Sequence, residues 1–224
     1  MNSRDLDRDL DRDLDRDVAG CAGSHQRLLA MLDTLTDPQV RQASLLPGWS
    51  VGHVLTHLAR NAESHVRMLE GAARGEILTQ YAGGAEGRNA DIEAGADRSS
   101  TELIADVRAT IYQLESVWAH TSAQGWQGRG ISLMGELPMT DLVFRRWRET
   151  EIHRVDLCLG YSFAEWPAEY VRLDLPRMTA QWASRKPMGL TNLPAAALAL
   201  TPNDRLAWLW GRLVVDGLQP AGIS

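Results

Sequence analysis

The chain has 224 residues, 44% hydrophobic and 23% charged, with a net charge of −6. That length allows one good core, or a main domain and a small second one, in an ordinary globular composition. No stretch reaches the roughly 20 apolar residues a membrane helix needs. The charged N-terminus lacks the apolar region of a signal peptide, and no basic stripe points to nucleic acid or an anionic membrane. The expectation is a cytoplasmic protein with no nucleic-acid or membrane partner, monomeric or homodimeric.

Residues 4–17 hold seven Asp and four Arg, which supply −3 of the net charge. RDLD recurs three times in residues 4–15. Leu6, Leu10, Leu14 and Val18 would line one side of a helix. Charge-dense, low-complexity runs rarely fold alone, so residues 1–17 are expected to be a solvated tail or a helical extension without chemistry.

A first helix is expected from about Val18 to Leu35, with Leu28, Leu29, Leu32 and Leu35 on one side. A loop punctuated by Pro38, Pro47 and Gly48 follows. Ser50 then caps a second helix, SVGHVLTHLARNAESHVRMLEGA, whose stripe runs Val51, Val54, Leu55, Leu58, Ala62, Val66, Leu69. The glycine-rich segment YAGGAEGRNADIEAGADR reads as a long connection. Ser99 and Glu102 form a capping box for a third helix, buried through Leu103, Ile104, Val107, Ile111, Leu114 and Val117. A fourth helix is expected over residues 140–160.

Four long helices with two long connections read as a four-helix bundle over residues 18–160. Residues 161–224 differ. Pro176 interrupts or starts a helix, Ala196 to Leu200 suit a short strand, and Thr201-Pro202-Asn203-Asp204 is a strong helix start. The fold class is therefore mainly α, a bundle followed by a small α/β C-terminal domain. Trp118, Trp147, Trp182, Trp208 and Trp210 are expected in cores, and Trp49 as a staple before the second helix. Cys21 and Cys158 show neither CxxC nor zinc-finger spacing and are expected to be core thiols rather than a disulfide.

The fourth helix carries the chemistry. In RRWRETEIHRVDL, Glu149 and His153 are four residues apart and fall on nearly one line at 100° per residue. Leu142 and Leu157 bracket them on the same side, which favours an inward or cleft-facing pair. Such groups need partners, because unpaired polar groups in a core are costly. A plain Glu–His pair is one answer; a metal ion is the other, since carboxylate and neutral imidazole suit zinc or another divalent transition metal. A third ligand could come from His53, His57 or His65 on the second helix, and periodicity does not choose among them. His65 lies in the apolar stripe, His57 just past its edge, and His53 further toward solvent.

LLPGWSVGHVLTHLARNAE followed by RRWRETEIHRVDL resembles the DinB-like bundle superfamily and, more narrowly, the mycothiol-dependent maleylpyruvate isomerase family. Four motifs carry the resemblance: Gly48-Trp49-Ser50 with His53 and His57; Arg88-Asn89 with Ile92; Glu149, His153, Asp156 and Leu157; and Gly211-Arg212 with Asp216-Gly217. It covers about residues 18 to 220. It implies a DinB-like metal-binding four-helix bundle followed by a small α/β domain related to sterol-carrier proteins. It also implies a zinc ion held by His57, Glu149 and His153, and Arg88 and Arg212 at the active site as partners of the substrate and the thiol. Arg145, Arg146 and Arg148 are expected to be solvated or paired, with Arg146 nearest the metal face. Asp156 is a candidate hydrogen-bond partner for a histidine ring, and Asn89 for a ligand or a turn.

The implied activity is thiol-dependent cis–trans isomerisation of maleylpyruvate to fumarylpyruvate, in aromatic degradation through gentisate. The implied partners are a small dicarboxylate and mycothiol, a low-molecular-weight thiol cosubstrate. Two alternatives keep the same scaffold: a mycothiol or other thiol S-transferase acting on a different electrophile, and a non-catalytic binding protein with a structural metal.

Overall fold

The computed structural model describes residues 3–186 and 192–222, residues 3–12 through their backbone alone. Two compact units divide between Leu159 and Gly160.

The first unit is built on four long helices: α1 (Ser3–Leu32), α3 (Val51–Ala73), α5 (Ser100–His120) and α7 (Asp141–Asp156). Short helices α2 (Asp37–Val40), α4 (Gly84–Ala96) and α6 (Ala123–Trp126) join them. A hairpin of β1 (Arg129–Ser132) and β2 (Gly135–Pro138) pairs Gly130 with Leu137 in antiparallel register. The helices form a ring in which α3 packs on α5 and α7, and α1 on α7 and α5. Leu28 and Leu32 from α1, Val54, Leu55 and Leu58 from α3, and Leu103, Val107 and Ile111 from α5 are essentially fully buried in one cluster. Each such side chain contributes about 1.5–3 kcal/mol relative to exposure. The apolar stripes read from the sequence thus meet in the bundle centre.

The helix starts follow side-chain chemistry. Ser99 and Glu102 form the expected box at the start of α5. Ser50 caps α3 by accepting from the His53 N–H.

The structure differs from the sequence reading in several places. α1 begins at Ser3 rather than near Val18, so the charged repeat is the helical extension of the two alternatives its composition left open. The alignment of Leu6 and Leu10 falls outside the described side chains. The glycine-rich connection contains α4, anchored by buried Ile92 and Ala96. The fourth helix ends at Asp156, and Cys158, expected in a core, is exposed in the left-handed region at φ 55°. The hairpin escapes the sequence reading, because its four-residue strands are too short for a clear period-two pattern.

The second unit holds a 3₁₀ turn (Phe163–Glu165), α8 (Ala168–Ser184), α9 (Ala195–Leu198) and α10 (Pro202–Leu209). Thr201 caps α10 through the Asp204 N–H, with Pro202 in the first turn, as its sequence predicts. Residues 195–198 are helical in place of the expected strand; a run of three alanines favours helix over strand. Among the described residues, β pairing in this unit is limited to the bridge between Val215 and Leu218. Buried Asp174 accepts hydrogen bonds from the Tyr170 hydroxyl and the Trp210 indole N–H, each at 3.0 Å. Trp118, Trp147, Trp182 and Trp208 are buried, while Trp210 is half-buried.

Candidate metal centre

The facing sides of α3 and α7 bring three side chains to one point. His57 Nε2 lies 2.9 Å from Glu149 Oε2 and 3.1 Å from His153 Nε2. His153 Nε2 and Glu149 Oε2 are 3.3 Å apart. His57 is buried, and Glu149 and His153 are half-buried, so the cluster opens on one side. Leu142 and Leu157, the bracketing leucines, are both buried.

His53 is not at this point. Its Nδ1 accepts from the Ser50 N–H at 3.1 Å, closing the cap of α3, and its Nε2 lies 3.4 Å from Glu93 Oε2. His65, two turns along α3 from His57, is buried in the core, and burial pushes its pKa down to about 3. Geometry therefore separates the three histidines that periodicity leaves undivided.

The remaining ring nitrogens are also engaged. His153 Nδ1 lies 2.8 Å from Asp156 Oδ2, and Asp156 is fully buried. The carboxylate holds a proton on Nδ1, so that a cation displacing the proton on Nε2 would meet that nitrogen's lone pair. His57 Nδ1 lies 3.1 Å from Arg88 Nη2, carried by α4. Arg88 also donates to Asn89 Oδ1 and sits 5.9 Å from the centre of the Trp49 ring. Trp49 is in turn 5.8 Å from the His57 ring. Trp49 and Arg88 together wall one side of the centre. In sequence, Trp49 shows only a role at the start of α3, because a residue ahead of the cap has no helical phase relative to His57.

Electrostatics fit a cation at this point. Burial pulls His57 down to about 4, against the hydrogen bond that its Nε2–H donates to Glu149, so its imidazole is neutral. Burial alone would raise Glu149, but hydrogen bonds to His153 and His57 outweigh it and hold the carboxylate well below its ordinary range. His153 is raised, because its bonds to Asp156 and Glu149 outweigh burial. A cation supplies the positive charge that these two carboxylates otherwise draw from protons.

The donor set passes a geometric test as well. Ligands about 2.0–2.2 Å from a tetrahedral ion lie roughly 3.3–3.6 Å apart. The three separations here approach that range, and a divalent metal would satisfy all three ligand atoms at once. Two imidazoles and one carboxylate leave a fourth position open.

Of the other expected residues, Arg88 reaches the cluster through His57. Arg212 belongs to the second unit, where its Nη1 donates to the Trp210 carbonyl at 2.7 Å. Arg146 is fully buried rather than solvated. Cys21 is a buried thiol, pushed up by burial, with Sγ 3.7 Å from His25 Nε2.

The family model for the mycothiol maleylpyruvate isomerase N-terminal domain matches residues 21–158. A crystal structure of a mycothiol-dependent maleylpyruvate isomerase is similar at a TM-score of 0.72 with 25% identity, covering 76% of this chain and 71% of that one. A histidine-to-alanine mutant of a mycothiol-dependent maleylpyruvate isomerase matches with the same TM-score and coverage at 24% identity, a likeness of fold. No curated protein matches the chain. With more than half its length matched, from Cys21 in α1 to Cys158 just past α7, the chain belongs to the mycothiol maleylpyruvate isomerase N-terminal domain family, a family of enzymes.

Proposed function

We propose that this protein is a zinc- and mycothiol-dependent isomerase that converts maleylpyruvate to fumarylpyruvate. The observation that carries the reading is the His57–Glu149–His153 cluster with the Arg88 guanidinium at its rim, in a chain of this family.

His57, Glu149 and His153 would hold the ion, and Asp156 fixes the His153 ring so that Nε2 faces it. Bound there, zinc supplies a positive site at which a thiol ionises at neutral pH. The cosubstrate thiolate adds to an alkene carbon of the cis enone, and the π electrons move onto the keto oxygen as an enolate. The former double bond is then single and rotates. Return of the electrons expels the thiolate and leaves the trans alkene, so the thiol is regenerated. Arg88 binds a substrate carboxylate, since its planar fork matches two carboxylate oxygens. Arg212 is proposed as a second carboxylate partner on its sequence motif alone. Trp49 presents an apolar wall that excludes water from the thiolate. None of the described helices is long and apolar enough to cross a membrane, and we place the reaction in the cytoplasm.

The test is metal analysis of the purified protein, followed by an assay on maleylpyruvate with limiting mycothiol. Fumarylpyruvate in large excess over thiol, lost in His57→Ala, is the expected result. Thiol consumed one for one with substrate would instead make the protein an S-transferase. Equal turnover in His57→Ala would remove the metal from the reaction.

A further inference from the structure

Beneath the ligand cluster, a chain of polar contacts crosses all four long helices. Glu115 Oε1 on α5 lies 2.8 Å from His25 Nδ1 on α1. His25 Nε2 accepts from Arg146 Nε on α7 at 3.0 Å. Arg146 Nη1 donates to the Leu58 carbonyl at 2.8 Å and to Asn61 Oδ1 at 2.9 Å, both on α3. The donor directions are consistent, because a guanidinium only donates, so His25 carries its proton on Nδ1 and gives it to Glu115. Trp118 stacks on the His25 ring with 12° between the planes, which fixes its orientation.

The place of this chain along the helices matters. Asn61 is one turn beyond His57, and Leu58 is its immediate neighbour. Arg146 is one turn before Glu149. The guanidinium thus ties α3 to α7 one turn from the ligand atoms.

Stability alone does not account for an arginine at this position. It is fully buried, no carboxylate lies within ion-pair distance among the described residues, and its Nη2 has no hydrogen-bond partner among them. Burial lowers its affinity for its proton. A well-packed apolar side chain is often as stable as, or more stable than, a buried charge. What an apolar side chain lacks is direction. A planar fork with Nε and Nη1 fixed on α1 and α3 sets both the separation and the rotation of α7 against α3.

We propose that Arg146 is a positioning residue for the metal centre, holding α7 at the spacing and rotation at which Glu149 and His153 converge with His57. The proposal rests on the reading of those three residues as metal ligands.

The experiment compares the full-length parent with Arg146→Met and Arg146→Lys. Zinc affinity is measured by competition with a chelator, and the visible absorption of the cobalt-substituted protein reports ligand geometry. Thermal unfolding in excess chelator reports stability without metal. Arg146→Met is expected to lose about tenfold in zinc affinity, the low end of the loss seen when a direct partner of a ligand is removed, because Arg146 acts on the ligands only through the helices. Its cobalt band should weaken and shift, while its chelator-treated form stays folded, with an unfolding temperature lowered by the His25, Leu58 and Asn61 acceptors left unpaired. Arg146→Lys keeps the charge without the fork and should recover only part of the affinity. Zinc affinity within twofold of the parent and an unchanged cobalt spectrum in Arg146→Met would overturn the proposal. So would a loss of metal binding matched by an equal collapse of the chelator-treated protein. If Arg146→Met yields no folded protein, Asn61→Leu is judged by the same criteria. A parent that binds neither metal removes the ligand reading itself, whereas a parent that binds both, with variants that bind equally well, removes only the role of Arg146.

Discussion

Asp156 Oδ2 and His153 Nδ1 lie 2.8 Å apart within the last turn of α7, with the carboxylate fully buried. The contact fixes which ring nitrogen of His153 carries the proton and which faces His57. Asp156→Asn keeps an acceptor of similar shape but loses the charge. Zinc affinity is expected to fall by about tenfold, and by up to about a hundredfold in Asp156→Ala. A chelator competition titration measures both, and affinity equal to the parent's in the two variants would contradict the assignment.

Arg88 and a metal compete for the protonation of His57. An arginine N–H donates to His57 Nδ1 only when that nitrogen offers its lone pair. A metal on Nε2 requires the neutral ring to carry its proton on Nδ1 instead. Metal binding is therefore expected to turn the Arg88 guanidinium away from His57. Arg88→Met should bind zinc about tenfold more tightly, about 1.4 kcal/mol, at the low end for a hydrogen bond from a charged donor. The same variant should show a raised KM for maleylpyruvate. Weaker zinc binding in Arg88→Met would show that the guanidinium supports the ion.

His25 and His65 make stability pH-dependent. Burial lowers both, to about 4 and about 3, while an unfolded-chain histidine titrates near 6.5. Between those values the unfolded chain binds more protons, so stability is complete above about pH 6.5 and falls as the pH drops below it. The slope is about 1.4 kcal/mol per pH unit for each histidine. His57, also pulled down to about 4, adds a third such group, and the raised His153 offsets part of the total. Denaturant unfolding in excess chelator is therefore expected to show a loss of several kcal/mol between pH 7 and pH 5, of which His65→Leu should remove roughly 2 kcal/mol. A pH profile left unchanged by His65→Leu would mean that this ring is already charged in the folded protein.

Gly52, in the first turn of α3, faces the end of α4. A Cβ there would stand 2.2 Å from the Ala96 carbonyl oxygen, which is backbone and has little room to yield. Alanine ordinarily favours a helix by about 1 kcal/mol over glycine. Here overpacking dominates, and Gly52→Ala is expected to destabilise by about 1–3 kcal/mol in urea unfolding. A stabilised variant would show that α4 moves freely away from α3.

The parts of this molecule that repeat with the helix period are legible in the amino-acid sequence. The stripes of α3 and α5, the Ser99–Glu102 box and the Glu149–His153 spacing all depend on contacts within four residues. The third candidate ligand is less accessible. His53, His57 and His65 share one helix, and only the cap that occupies His53 and the depth of His65 distinguish them. The burial of Arg146 is hidden for a similar reason. Its partners lie 85, 88 and 121 positions away, and an arginine among arginines reads as solvated until the helix opposite is known. Nor does composition reveal α4, whose glycines argue against a helix and whose order comes from packing Ile92 and Ala96.

The three candidate ligand atoms come from helices far apart in the chain, His57 lying 92 positions before Glu149 and 96 before His153. A cation gripped by all three closes a long loop that the unfolded chain leaves open. By mass action, free zinc at a hundred times its dissociation constant would add about 2.7 kcal/mol to the folded state. Heat resistance and protease resistance would then rise and fall with the supply of the ion, so a metal-starved cell would lose the protein itself along with its turnover.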